Sequence, residues 1–149
     1  MARSVVLASL LLLAAAPAAH SQSSYRGILE SQLAAVGNTV AQKGYRPDTG
    51  AFEYDMIVGF LYDFSQIGLE IDLEFGVEYM VVGVCDQDCS DLDLYLEDTQ
   101  GNELFKDTLD DDAPILTFTA PAGGAHILWV SMENCSVEPC SFGYKVYRR

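Results

Sequence analysis

The stretch Asp91-Leu92-Asp93-Leu94-Tyr95-Leu96-Glu97 decides the fold class of this chain. Leucines alternate with polar or aromatic residues, which is the period of a strand with one face in a core and one face wet. Leu69, Ile71, Leu73 and Phe75 repeat the pattern against Gly68, Glu70, Asp72 and Glu74, and Gly76 turns the chain. Between the two, Tyr79 to Cys85 is a continuous apolar run that suits a central strand. Thr99-Gln100-Gly101-Asn102 reads as a turn and Glu103 to Lys106 as a short return strand. Ile115 to Thr119, His126 to Met132 and Phe142 to Tyr147 read as further strands, with a Pro121-Ala122-Gly123-Gly124 turn and a charged loop at Asp110 to Pro114. Phe52 to Phe64 is aromatic and apolar without a clean period, and is expected to add one or two strands.

Roughly seven or eight short strands separated by turn signals predict an all-β fold, an antiparallel β-sandwich. Alternation assigns an inward set: Leu69, Ile71, Leu73, Val82, Val84, Leu92, Leu94, Leu96, Leu116, Phe118, Leu128, Val130, Tyr144 and Val146. Tyr95, Trp129 and Tyr147 fall on the outward parity and are the candidate aromatic contacts for a ligand.

Upstream, the period changes to that of a helix. Ile28, Leu29, Leu33, Val36 and Val40 recur at helical spacing over Tyr25 to Lys43, with Ser24 placed to cap the start and Gly44 to end it. Gly37 weakens the middle. Nothing in the pattern says whether this helix packs on the sandwich. Earlier still, Arg3, the apolar run Val5 to Ala16 and the small residues after it, with cleavage expected after Ala18 or after Ser21, have the three parts of a secretory signal, with an apolar run too short to span a bilayer. The expected organisation is a signal peptide over 1–21, helix and linker over 22–50 and the sandwich over 51–149, secreted or periplasmic.

The chain has 8 basic and 22 acidic residues and a formal net charge of −14. Such a surface repels nucleic acid and anionic lipid and suits cations. All four cysteines, Cys85, Cys89, Cys135 and Cys140, lie in the part expected to be exported, where an even count points to two disulfides. Of the three pairings, Cys85–Cys89 and Cys135–Cys140 are expected, because each brackets a short polar loop; a four-cysteine zinc site has permissible spacing but the wrong compartment.

No catalytic pattern stands out. His126 follows a glycine turn at the start of a strand, and there is no Gly-x-Ser-x-Gly elbow, His-Glu-x-x-His helix or phosphate-cradling glycine loop. The densest constellation is Cys85-Asp86-Gln87-Asp88-Cys89-Ser90-Asp91-Leu92-Asp93, with a second acidic run at Asp110-Asp111-Asp112. Carboxylates suit Ca²⁺, which takes six to eight oxygens. An EF-hand is excluded, because Asp91 stands where that loop needs glycine and the flanks read as strands. Asp91, Asp93, Asp110, Asp111 and Asp112 remain as candidate Ca²⁺ ligands.

The segments 76–85 and 91–98, the Gly101-Asn102 turn, Asp110 to Pro114, Thr117 to Pro121 and the strand from Gly124 to Val130 run in an order that resembles the bacterial pre-peptidase C-terminal domain. The resemblance covers roughly residues 66–147. It implies a jelly-roll-like sandwich that is itself non-catalytic, and related modules hold Ca²⁺ through acidic loops, with Asp91 and Asp93 as the matching positions. The expected function is that of an exported binding or accessory module for a protein or polysaccharide ligand. The alternative is an envelope component that assembles through its helix or an open sheet edge.

Overall fold

The computed structural model describes residues 19–50 and 56–149, with 19–24 as backbone only. The expected signal sequence up to residue 18, and residues 51–55, which include the start of the ambiguous stretch, lie outside the described residues. The described chain is one helix and two antiparallel sheets. Helix α1 (Ala19–Gln42) is followed by β1 (Arg46–Pro47), β2 (Ile57–Leu61), β3 (Ser65–Leu73), β4 (Glu78–Cys85), β5 (Cys89–Glu97), β6 (Glu103–Asp107), β7 (Ile115–Thr119), β8 (Gly124–Cys135) and β9 (Cys140–Arg148). One sheet has the order β1-β9-β4-β7, with β2 also on β9. The other has the order β3-β8-β5-β6. Every described pairing is antiparallel. Apart from the β5–β6 hairpin and the link from β1 to β2, each connection passes from one sheet to the other.

The core between the sheets holds Ile71 and Leu73, Leu92, Leu94 and Leu96, Leu116 and Phe118, Leu128 and Val130, and Tyr144 and Val146, as alternation predicts. Leu69 packs against it only partly buried. Val82 and Val84 depart from the expectation. The residues of β4 that face the opposing sheet are Tyr79, Val81 and Cys85, whereas Val82 and Val84 are buried on the far side with Met80. A continuous apolar strand carries no parity signal, since both of its faces are hidden.

What hides the second face is α1. Leu29, Leu33 and Val40 pack with Met80, Val82 and Val84 of β4, with Tyr147 of β9 and with Tyr45 in a second apolar cluster. Tyr147 is therefore outward of the sandwich but only 3% exposed, and is no ligand contact. Gly37 has a packing reason: a Cβ there would stand 3.3 Å from the Tyr147 hydroxyl, so glycine lets helix and strand approach. The helix begins at Ala19, upstream of Ser24, so Ser24 is not its cap. It ends as expected at Gly44, whose φ of 87° few other residues adopt.

Both disulfides are the local ones, Cys85–Cys89 and Cys135–Cys140, each with Cα atoms 5.9 Å apart. Each closes an arch between the sheets, the first from β4 to β5 and the second from β8 to β9. Cys89 and Cys135 are register partners, so the two bridges sit side by side at one end of the sandwich. They point to an oxidising, extracytoplasmic environment. Among the described residues no helix is long and apolar enough to cross a membrane.

A docked helix predicts a cost for hollowing its contact. Leu33→Ala is expected to lower stability by about 2–5 kcal/mol in chemical denaturation; a helix swinging free of the sheet would leave it unchanged. Reducing either local bridge is expected to cost about 2 kcal/mol, read as a fall in the denaturation midpoint with the fold retained.

Candidate functional site

Because α1 covers the outer face of the β4–β9 sheet, the outer face of the other sheet is the large surface it leaves uncovered. Alternation along β5 points Asp91, Asp93, Tyr95 and Glu97 to that face, and along β8 it points Ile127, Trp129, Ser131 and Glu133 there. The register sets Tyr95 beside Trp129, Asp93 beside Ser131 and Asp91 beside Asn134.

Trp129 is held by two constraints. Its Nε1 donates to Glu97 Oε2 at 2.8 Å. Its six-membered ring crosses the cross-strand partner Gly68, where a Cβ would stand 3.0 Å from both Cε3 and Cη2. Glycine at 68 thus lets the indole lie flat on the sheet, where Trp129 is half-buried. Gln66, Tyr95, Glu97 and Glu103 join Trp129 around a shallow cavity of about 210 Å³. Tyr95 is oriented in turn by donating its hydroxyl to Asp93 Oδ2 at 2.7 Å; burial first, and then this bond, push the phenol pKa well above the ordinary range.

The acidic residues continue the same face. Burial raises the pKa of Asp91, and the charges of Asp93, Asp110, Glu133 and Asp111 raise it further. Burial also raises Asp93, opposed by the Tyr95 hydrogen bond and reinforced by Glu133, Asp107 and Asp111. Asp91 Oδ1 is buried with no hydrogen-bond partner among the described residues. The loop reaches the strand through its backbone. Leu92 N, freed by a register shift at Asp91, donates to Asp111 O at 3.0 Å. Asp111 Oδ1 accepts from Ala113 N, and Asp107 Oδ2 accepts from Ile115 N at 2.7 Å, so the loop is braced at both ends.

Of the five candidate ligands, Asp91, Asp93, Asp110 and Asp111 therefore share one electrostatic neighbourhood. Asp112 is exposed and is not among the charges acting most strongly on either strand aspartate. Glu133 and Asp107 belong to the neighbourhood and were not singled out from the sequence. Glu133 continues the outward parity of Trp129 and Ser131, so alternation carried on along its strand finds it; Asp107 has no such signal. Among the described residues, no group of three His, Cys, Asp or Glu side chains is gathered so as to hold a metal ion. His126 is buried, with Nδ1 2.9 Å from Gly124 O.

No protein-family model matches this chain, and no curated protein matches it.

The raised aspartates give a pH dependence of known sign. Their charged forms are disfavoured in the fold, so they oppose folding at neutral pH, and the penalty is relieved as pH falls through their raised values toward the ordinary 3.8. Glu74, held low by the Arg148 guanidinium at 2.7 and 2.8 Å, and Glu78, held low by the Tyr45 hydroxyl and Arg149, act oppositely: their contribution is present above the ordinary 4.5 and is lost below it. Thermal stability is therefore expected to peak on the acid side of neutrality. Asp91→Asn is expected to raise the midpoint at neutral pH by about 2–4 °C and to flatten the acid-side rise.

Proposed function

We propose that this chain is an exported, non-catalytic β-sandwich module that binds a polysaccharide on the outer face of the β3-β8-β5-β6 sheet. The observation that carries the reading is the Trp129 indole, laid flat over Gly68 and fixed by Glu97. A flat indole offers an apolar face to the C–H side of a sugar ring. The flanking carboxylates of Glu97 and Glu103 and the amide of Gln66 supply partners for sugar hydroxyls. The two disulfides and the non-catalytic role implied by the resemblance to pre-peptidase C-terminal domains support the same reading. Of the alternative, assembly through the helix or an open sheet edge, the helix route would require a face whose Leu29, Leu33 and Val40 are already spent on the sheet.

A second reading adds Ca²⁺ held by Asp91, Asp93 and the Asp110–Asp112 loop. Asp91 Oδ1, buried and unpartnered, supports it; the spread of the acids along strand and loop opposes it. Millimolar Ca²⁺ is expected to raise the thermal midpoint by several degrees if this reading holds, since a site at ~100 times its Kd adds about 2.7 kcal/mol. An unmoved midpoint removes it.

Trp129 is the chain's one tryptophan, so its emission reports on the proposed face directly. Titration with cellohexaose or a glucosamine hexamer is expected to shift that emission saturably. Trp129→Ala is expected to abolish retention of the protein on the corresponding immobilised polymers. Unchanged emission with every hexamer, together with no retention, would sink the reading.

A further inference from the structure

The disulfide end of the molecule carries a second concavity, on the opposite side from Trp129. Past the turns of α1 that cover β4 and β9, the outer face of that sheet opens into a cavity of about 390 Å³. Tyr25 of the helix and Phe60 and Tyr62 of the β2 end contribute aromatic walls. Asp88 of the Cys85–Cys89 arch, Glu138 of the Cys135–Cys140 arch, and Ser141 contribute polar groups.

Three features of this cavity point to an absent ligand. Ser141 is only 1% exposed, yet its Oγ has no hydrogen-bond partner among the described residues. A buried hydroxyl without a partner costs about 1–3 kcal/mol, and Ser141 is one of the residues that line the cavity. The second feature is exposure: Phe60, Tyr62 and Val137 are 47%, 61% and 62% exposed, an apolar patch at the cavity mouth rather than scattered single residues. The third is charge. Among the described residues, no lysine or arginine lines the cavity. Arg26, next to Tyr25, is paired with Glu30 at 2.8 Å. Arg46, Arg148 and Arg149 lie at the other end of the β4–β9 pair, where Arg148 engages Glu74 and Arg149 engages Glu78.

We propose that this cavity receives a lysine or arginine side chain presented by a basic segment of a partner polypeptide. Aromatic faces beside carboxylates attract ammonium and guanidinium groups through ring quadrupole and charge together. Asp88 is positioned for this without cost to the fold, because the fold uses its backbone: Asp88 O accepts from both Ser136 N and Ser136 Oγ at 2.8 Å. Asp86, beside it, is spent internally, its Oδ2 accepting from Ser141 N at 2.7 Å. That bond also fixes Ser141 relative to the arch. A net charge of −14 steers a polybasic segment toward the molecule far more strongly than a free monoamine. This inference does not depend on the Trp129 face.

The test uses the purified protein with both bridges formed and hexalysine and hexaarginine as probes, followed by calorimetry at about 0.15 M salt, where diffuse attraction is screened. Saturable one-site binding is expected. Asp88→Asn and Phe60→Ala are each expected to weaken it about tenfold. Glu70→Gln, which removes the same charge from the other sheet, is expected to change it less than twofold. Ser141→Ala is expected to weaken binding without lowering the thermal midpoint. Equal effects of Asp88→Asn and Glu70→Gln would show diffuse attraction and overturn the site, as would the absence of saturable binding. A lowered midpoint for Ser141→Ala would show that the hydroxyl has an internal role and would remove the observation the proposal stands on.

Discussion

The fold depends on one strand that must be hidden on both faces. Tyr79 to Cys85 is apolar without interruption, and every residue of it is buried. In an antiparallel sandwich one face of a strand meets the opposing sheet and the other meets water. β4 cannot meet water on either side. The opposing sheet takes Tyr79, Val81 and Cys85, and the helix takes Met80, Val82 and Val84. Helix, sheet and sheet thus form a three-layer stack with the β4–β9 pair in the middle.

That stacking makes the molecule two-sided. The helix consumes most of one outer surface, so the other sheet alone keeps the wet-faced alternation of a half-buried strand. The flat indole of Trp129, its tyrosine neighbour and the acidic neighbourhood of Asp91 and Asp93 all fall on that exposed sheet, because all lie on outward parities of β5 and β8. Asp91 keeps part of its surface in water, where solvent screens some of the repulsion among these acids, whereas Asp93 is buried and is offset by the hydrogen bond from the Tyr95 hydroxyl.

The disulfides act on loops rather than on the stack. Each spans a short arch from one sheet to the other, and together they pin one end of the sandwich. The hydrophobic core would hold the sheets together without them. What they hold is the shape of two polar arches, and with it the carboxylates of Asp88 and Glu138 and the hydrogen bonds through Asp86 that tie the first arch to the start of β9. The positive charge gathers at the far end, where Arg148 and Arg149 find Glu74 and Glu78 across the termini of β3 and β4.

The elements that local chemistry controls are legible in the order of the amino acids. Period-two alternation placed β5, β7 and most of β3, β8 and β9; glycine placed the turns at Gly44 and Gly76; loop length selected the disulfide pairing. The acidic strand positions were legible for the same reason, since parity alone sends Asp91 and Asp93 outward. Whatever depends on which layer covers which face is fixed only when the layers close on one another. An unbroken apolar run has no parity to read, so alternation sends Val82 and Val84 to the inter-sheet core when they in fact face the helix. Tyr147 is outward by period yet buried, because a distant helix lies over it. The cavity around Ser141 joins residues from the helix, from β2 and from both arches, and no local pattern links segments that meet only when the sheets close.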